Sequence, residues 1–269
     1  MKKASTFFRS FLLQGFWNYT HMQNIGALFI MLPNLKKIYK DDKAGLKRAV
    51  QRNMEAFNCH PVMSAYSIGA MVKQEEKIVS SAPANTEDET REFRIIRAST
   101  ANTAASVGDR LFWATLKPLS LVLSFTVLFG GEVQVLQEDI HTREILFTAA
   151  LAVIGSLLVY NIPALAARFK GLVDSYNGDE DNFYGLIKVN WNKIIYFLKT
   201  IGQVLTGFII FYALYVMFKD ASADVDSITK LSLLCAFVIL SLLMQKLQIP
   251  TIFLYVTAAI VFLAASLLA

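Results

Sequence analysis

The amino-acid sequence predicts an all-α integral membrane protein with about four to five transmembrane helices, preceded by N-terminal re-entrant or interfacial helices. Two observations predict this class. Apolar residues make up 55% of the 269 positions and charged residues only 17%, whereas soluble domains run near a quarter charged. The long apolar runs also lie in the later part of the chain, and the charges gather before them. We therefore predict a basic N-terminal section with a cytoplasmic linker over residues 1–110 and a transmembrane helical block over residues 111–269.

The first section begins with apolar residues 5–32, which polar side chains such as Arg9, Gln14 and Asn18 interrupt. This stretch is too polar for a lipid-facing span and too apolar for a solvated loop. A helix pair at the interface and a re-entrant hairpin buried in protein both fit it. Residues 44–57 predict a basic amphipathic helix with its apolar stripe at Leu46 and Val50, and 74–92 predict a linker.

Four later stretches are long and apolar enough to cross a bilayer as helices, since a span takes roughly 20 apolar residues. They lie at about 145–167, 194–218, 228–245 and 249–268. A fifth stretch, about 111–130, is weaker because Lys117 and Pro118 lie inside it. Proline removes a helix hydrogen bond, so we expect a kink or a break there.

The orientation follows from the linkers, because positive residues favour the cytoplasmic face. Residues 132–144 contain a single positive side chain, Arg143, whereas residues 168–193 contain four. We therefore expect a multi-pass protein of the inner or plasma membrane, with its N-terminal section in the cytoplasm and its C-terminus outside. The start of the chain shows no clean cleavage site after Lys2 and Lys3, so we expect the internal spans to direct insertion.

The net charge of +5 does not indicate nucleic-acid binding, because Lys and Arg follow the ends of the apolar runs. The two cysteines, Cys59 and Cys235, build neither a disulfide framework nor a thiolate metal site. The three histidines are far apart in sequence, so we expect no metal site and no cofactor.

Three segments contain motifs that resemble the IID subunits of the mannose, fructose and sorbose family of the bacterial sugar phosphotransferase system. The first, Phe11 to Tyr39, has the pattern Gln-Gly-x-Trp-Asn-aromatic-x-x-Met-Gln-x-x-Gly through Gln14, Gly15, Trp17, Asn18, Tyr19, Met22, Gln23 and Gly26. The second is similar through Phe57, Asn58, Pro61, Gly69, Glu75 and Glu76, and the third through Gly108, Asp109, Phe112, Trp113, Thr115 and Pro118. The chain after Pro118 matches only in hydropathy.

The resemblance implies a non-catalytic translocation subunit of a permease in the bacterial inner membrane. In that family a IIC and a IID subunit form the membrane unit of a larger hetero-oligomer, and soluble IIA and IIB subunits phosphorylate the emerging hexose-type sugar. The basic front suits the docking of such a soluble partner. Candidates for the substrate path or the IIC interface are the following motif residues: Gln14, Trp17, Asn18, His21, Gln23, Asn58, Asp109 and Trp113.

Two stretches of this sequence differ from the pattern of the family that it resembles. The glycine-containing stretch before the Gly-Asp pair reads Ala101 to Ala105, and a later glycine-containing element is replaced by residues near Phe197 to Thr200. Glycine lets backbones approach closely, so these changes motivate the alternative of a degenerate paralogue with an interaction or regulatory role and no transport. An unrelated small transporter or membrane enzyme is the third interpretation.

Each candidate also has a purely structural interpretation. On a helix, Gln14, Asn18 and His21 would share one stripe, where their polar groups bind either sugar hydroxyls or another helix. Asp109 is expected chiefly to cap a helix that begins at Leu111. No phosphate cradle surrounds His60, so we do not expect a phosphorylated histidine. Glu75 and Glu76 are expected to end a helix in solvent.

Overall fold

The computed structural model describes residues 1–81, 87–135 and 142–220, and these residues form helices and no extended strands. In chain order the helices are α1 (Lys3–Arg9), a 3₁₀ helix (Ser10–Phe16), α2 (Asn24–Ile38), α3 (Lys43–Asn53), α4 (Ser64–Ser80), α5 (Glu87–Gly108), a π-helix (Asp109–Leu116), α6 (Lys117–Val135), α7 (Thr142–Asn177), a 3₁₀ turn (Leu186–Lys188) and α8 (Trp191–Asp220). The predicted all-helical membrane class is confirmed.

The chain separates into two compact units, Met1–Leu205 and Thr206–Ala269. The described residues of the second unit are only the end of α8, where the ring of Phe208 stacks on that of Tyr212. The sites below all lie in the first unit. The expected division near residue 110 stays a prediction.

Three helices within the described ranges are long and apolar enough to cross a membrane: Glu89–Leu128, Ile145–Asn177 and Trp191–Ile210. They overlap the predicted stretches at 111–130, 145–167 and 194–218. The predicted stretches at 228–245 and 249–268 lie outside the described residues. Only 6% of the most apolar part of Ile145–Asn177 is buried within the protein, so its surface requires lipid or another subunit to cover it.

The expected break at Pro118 is wrong, because α5, the π-helix and α6 follow one another without interruption; the expected kink stays a prediction. A π-helix pairs each N–H with the carbonyl five residues earlier, and the return to α pairing occurs at Lys117, next to the residue that lacks an N–H. The Thr115 hydroxyl donates to the Arg110 carbonyl at 2.7 Å within this segment. The same continuity corrects the expected cap: no helix begins at Leu111, and Asp109 makes no cap hydrogen bond.

The N-terminal residues form a helix pair, in which α1 and the first 3₁₀ helix pack along α2. The Asn34 side chain joins the two, since its Oδ1 accepts from the Lys2 N–H at 2.6 Å and its Nδ2 donates to the Thr6 hydroxyl at 2.8 Å. A Cβ at Gly26 would lie 2.0 Å from the Leu13 carbonyl oxygen. Glycine is therefore required where the two helices cross closely.

Helix α4 is the centre of the core and packs against α2, α5 and α7. Its residues from Ser64 to Val72 are all buried. The expected linker over 74–92 is therefore too long, because α4 continues to Ser80 and α5 begins at Glu87. Helix α3 also differs in its buried face, which centres on Ala49 and Arg52 instead of the predicted stripe.

Candidate functional site

Two loops that contain the first and second motifs pair with each other through backbone hydrogen bonds. The first loop, 17–23, closes on itself where Asn18 and Met22 exchange two N–H to carbonyl bonds of 2.9 Å. The second loop, 54–63, joins it where the Gln23 N–H donates to the Phe57 carbonyl at 2.8 Å and the Phe57 N–H donates to the His21 carbonyl at 3.2 Å. Segments 30 or more residues apart thus form one polar surface.

Side-chain amides hold these loops in place. Asn18 accepts from the His21 N–H at 2.8 Å and donates to the Asn24 side chain at 2.9 Å. Asn24 in turn donates to the Met54 carbonyl at 2.7 Å. Buried Gln23 accepts from the Cys59 N–H through its Oε1 at 2.9 Å. These amides satisfy loop backbone groups that no helix pairs, so they position the loops.

The helical stripe expected for Gln14, Asn18 and His21 is wrong. The helix ends at Phe16, and Asn18 and His21 lie in the following turn. Met22 in that turn has a φ of 57°, in the left-handed region that a non-glycine residue rarely adopts. The turn and the amide bonds within it override the helical periodicity of the sequence.

An open cleft of about 310 Å³ lies between the paired loops and α5. It is lined by Met22, Glu55, Ala56, Phe57, Asn58, Arg94, Arg97, Ala98, Ala101 and Asn102. Met22 belongs to the first motif and Asn58 to the second. Ala101 and Asn102 belong to the stretch that differs from the family pattern. Three parts of the chain that the sequence singled out therefore meet around one cavity.

The cleft contains both hydrogen-bond donors and acceptors. The Arg94 Nε donates to Glu55 Oε1 at 2.8 Å. Arg97 is only 4% exposed; it donates to the carbonyls of Arg52 and Glu55, and its guanidinium lies 5.7 Å from the Phe57 ring centre. The buried Arg97 Nε has no hydrogen-bond partner in the part of the chain that the structure describes.

This combination suits a small neutral polar molecule. A hydroxyl group both donates and accepts, so it can pair with guanidinium donors, the Glu55 carboxylate and the Asn58 and Asn102 amides alike. The Phe57 ring and the Met22 side chain supply apolar contact. The volume is at the small end of the range for ligand pockets, about 300–1,000 Å³.

A buried polar cluster lies in the core next to this region. Glu75, which is fully buried, accepts hydrogen bonds from Arg52 Nε at 2.9 Å, Tyr39 OH at 2.8 Å and Asn53 Nδ2 at 2.7 Å. Burial and the neighbouring Glu75 carboxylate raise the pKa of Tyr39 above its ordinary value. The expectation that Glu75 ends a helix in solvent is wrong, because α4 places it against α2 and α3. Glu76 is partly exposed and accepts from Tyr176 OH at 2.7 Å.

His60 is 2% exposed, and its ring stacks on Phe112 with the Trp113 ring edge-on at 5.0 Å. Burial lowers its pKa to about 4, and the Arg168 cation acts in the same direction. A Cβ at Gly108 would lie 2.4 Å from the imidazole, so glycine is needed for this contact. A neutral, enclosed ring without a phosphate cradle fits a packing role for His60.

The structure groups the predicted site residues into three places. Asn58 lines the cleft, while Asn18, His21 and Gln23 shape the loop beside it. Gln14 and Trp17 are exposed at the end of the N-terminal helix pair. Asp109 and Trp113 are exposed on the π-helix, on the other side of His60. The roles expected for these residues, in the substrate path or at the IIC interface, remain predictions.

Four polar residues of the cleft were not among the site candidates predicted from the sequence: Glu55, Arg94, Arg97 and Asn102. Arg94 and Arg97 are three residues apart, a spacing that puts two cations on one helix face, and this pattern could have marked the wall of a site. Nothing in the sequence links them to Glu55, which pairs with them across about 40 positions. Among the described residues, no cluster of His, Cys, Asp and Glu is suited to a metal ion.

These features define a helical integral membrane protein with a polar, ligand-sized cleft beside its membrane-crossing helices. The family model described as "PTS system mannose/fructose/sorbose family IID component" matches residues 2–136, which is half of the chain and includes all three motifs. The chain therefore belongs to the mannose, fructose and sorbose family of IID components. The resemblance predicted from the motifs is confirmed.

Curated relatives agree with this family. The mannose-specific EIID component of Escherichia coli K12 is 28% identical over 174 residues, covering 64% of this chain and 53% of the relative. The fructose permease IID component of Bacillus subtilis 168 is 31% identical over 131 residues, covering 48% and 45%. The match thus spans about half the length of these relatives.

Two solved structures share the fold. One is the mannose transporter ManYZ in complex with microcin E492, with a TM-score of 0.53 and 20% identity over 99% of this chain and 95% of that one. The other is the structure of a membrane protein, with a TM-score of 0.67 and 20% identity over 98% and 94%. Both support the helical membrane architecture.

Proposed function

We propose that this chain is the IID subunit of a sugar permease and that its cleft contributes to the route of a hexose-type sugar. The observation that supports this most directly is the convergence of the motif regions on one cavity whose donors and acceptors match hydroxyl groups. The names of the relatives, which specify mannose, fructose and sorbose, favour the same substrate class.

We further propose that the chain works with a IIC membrane subunit and soluble IIA and IIB subunits. The long helices expose most of their apolar surface, which a bilayer and a second membrane subunit would cover together. In this proposal the N-terminal section faces the cytoplasm of a bacterium, where phosphorylation of the sugar would occur, and the C-terminus lies outside. The chain itself would contribute binding and no bond-making chemistry.

The first test is affinity purification of the full chain from its native membrane in mild detergent, followed by mass spectrometry. A stoichiometric second membrane subunit of the IIC type is the expected result. A chain that purifies alone and homogeneous would contradict the permease proposal. A chain that binds the IIC subunit but whose deletion leaves sugar uptake unchanged would instead fit a regulatory paralogue.

The second test addresses the cleft. Asn102→Ala removes an amide that lines the cavity, whereas Thr103→Ala changes an equally exposed neighbour on α5 that does not line it. Losing one hydrogen bond to a bound sugar costs about 1 kcal/mol, or roughly fivefold in affinity. We expect Asn102→Ala to raise the sugar concentration for half-maximal uptake by about that factor, with complex assembly unchanged and Thr103→Ala like the parent. Equal uptake by both variants would exclude Asn102 from the sugar route.

A further inference from the structure

The N-terminal helix pair leaves several large apolar side chains, most of them aromatic, exposed within the part of the chain that the structure describes. Most of these side chains lie along α1, the first 3₁₀ helix and the turn, with Ile25 at the start of α2, and Phe8 is 70% exposed. The others are between 40% and 50% exposed: Phe11, Leu12, Phe16, Trp17 and Ile25. A soluble surface rarely contains so many adjacent large apolar groups, so this face is built to contact something apolar.

The level of the helix pair along the membrane-crossing helix α7 is fixed by two contacts. The Phe7 ring lies 6.0 Å from the Phe169 ring. The Arg168 guanidinium donates to the Ser10 carbonyl at 2.7 Å and covers the Phe11 ring at 4.5 Å. Arg168 comes directly after the predicted apolar run 145–167, at the point where charged residues begin. The helix pair therefore meets α7 where the hydrocarbon region ends.

One end of the helix pair is strongly basic. The Lys2 N–H bond to Asn34 places the start of α1 beside the last turn of α2, which contains Lys36 and Lys37. Together with Lys3, four exposed lysines gather at this end. No ion pair between these four side chains and a carboxylate occurs within residues 1–81, 87–135 and 142–220. Their charge is available to an external anion.

We propose that the N-terminal helix pair is a binding surface for anionic phospholipids. Its aromatic face enters the boundary between headgroups and acyl chains, and its four lysines bind the lipid phosphates. An apolar face combined with a basic end is the arrangement that binds anionic membrane surfaces. Lipid fits both features at once, because anionic headgroups supply negative charge beside the acyl chains that the apolar face contacts. This inference depends on the membrane class of the protein and not on its sugar.

Phe8→Trp in a Trp17→Phe background provides the test, since brominated acyl chains quench tryptophan fluorescence on contact and residue 8 lies on α1 near Lys3. The full chain alone is reconstituted into phosphatidylcholine vesicles that contain a minority of phosphatidylglycerol, with bromine on one lipid or the other. The part of the signal from residue 8 is the difference between this double variant and Trp17→Phe alone. We expect brominated phosphatidylglycerol to quench it roughly twofold more than random mixing would give, because the lysines enrich this lipid locally.

Two fourfold variants separate the basic end from net charge. One changes Lys2, Lys3, Lys36 and Lys37 to Gln. The matched control changes Lys43, Lys47, Arg91 and Lys188 to Gln; these residues are also exposed and lie on α3, α5 and the 3₁₀ turn Leu186–Lys188. The first should abolish the excess quenching and the control should keep it. With all four lysines present, the excess quenching by brominated phosphatidylglycerol should also disappear at high salt. This measurement supplies a check if the first variant folds poorly.

Either of two results would overturn the proposal. Quenching in proportion to lipid mole fraction, or equal loss in both variants, would exclude a preference for anionic lipid. Absence of quenching at residue 8 by both brominated lipids would show that protein, such as a second copy of this chain, covers the aromatic face. Since neither partner subunits nor sugar are present, both results are independent of the sugar proposal.

Discussion

Glu75→Gln tests whether the buried cluster in the core holds α2, α3 and α4 together. The substitution keeps the shape of the side chain and removes its charge. Arg52 then keeps its charge with only a few per cent of its surface exposed and loses the Glu75 carboxylate. Arg52, Tyr39 and Asn53 all donate to Glu75, so the new amide N–H₂ also faces at least one donor.

The magnitude follows from the burial of both partners. Removing one member of a fully buried, hydrogen-bonded ion pair costs about 3–5 kcal/mol, because the remaining charge stays desolvated. For a chain of this size each kcal/mol shifts the melting temperature by about 2–4 °C, so we expect a decrease on the order of 10 °C. Replacing both charges, as Arg52→Met with Glu75→Leu, should restore a large part of this loss, because the buried cation that lost the Glu75 carboxylate is removed as well.

The assay is thermal unfolding of the purified chain in detergent, followed by tryptophan fluorescence. Glu76→Gln is the matched control, since it makes the same change one residue later at a partly exposed position. Tyr176 can still donate to the Gln carbonyl oxygen, so the control should change stability by less than about 1 kcal/mol. A melting temperature of Glu75→Gln within about 2 °C of the parent would refute the reasoning.

Three further predictions concern single contacts. Gly26→Ala should destabilise the fold by about 1–3 kcal/mol or more, because its Cβ would lie 2.0 Å from the Leu13 carbonyl oxygen; Gly15→Ala, with open space around it, should be nearly neutral. Asp42→Ala should cost about 1 kcal/mol, because the Asp42 side chain caps α3. His60→Phe should be tolerated at neutral pH to within about 1 kcal/mol, since the ring is buried and neutral and the bond that it accepts from the Val62 N–H is long at 3.3 Å. The melting temperatures of all these variants are measured in the same thermal unfolding experiment.

The His60 prediction also has a defined pH dependence. Because the folded-state pKa of His60 is about 4 and its ordinary value is 6.5, the unfolded chain binds more protons between these values. The stability contribution is therefore complete above about pH 6.5 and is lost as pH falls towards 4, by up to about 1.4 kcal/mol per pH unit. His60→Phe should lack this component. If the parent and His60→Phe lose stability equally as the pH falls, the predicted pH dependence of His60 is contradicted. Equal melting temperatures of Gly26→Ala and Gly15→Ala would contradict the close helix crossing.

The membrane class and the positions of three spans were predictable, because long apolar runs have few stable alternatives to a membrane-crossing helix. The three described spans fall on predicted stretches. The predicted break at Pro118 and the predicted cap at Asp109 were wrong for one reason. Both assumed a helix boundary, and the π-helix allows α5 and α6 to continue past a residue without an N–H.

The site was predictable only in part. The motifs identified Asn18, Gln23 and Asn58, yet periodicity gave the wrong geometry, because side-chain bonds to the backbone turn the chain at Trp17. Glu55 and Arg97 could not be found from sequence, since only the packing of α5 against the 54–63 loop brings them together.

The sequence by itself determined that this protein is a helical membrane protein of the IID family, because apolar run length and local motifs are one-dimensional properties. The tertiary structure decided which polar residues meet. Glu75 is the clearest case: in sequence it is one of two acids in a polar stretch, and in the fold it is a buried acceptor on α4 that α2 and α3 approach. Whether a charge is solvated or paired depends on what packs against it, and contacts across 20 to 40 residues decide that.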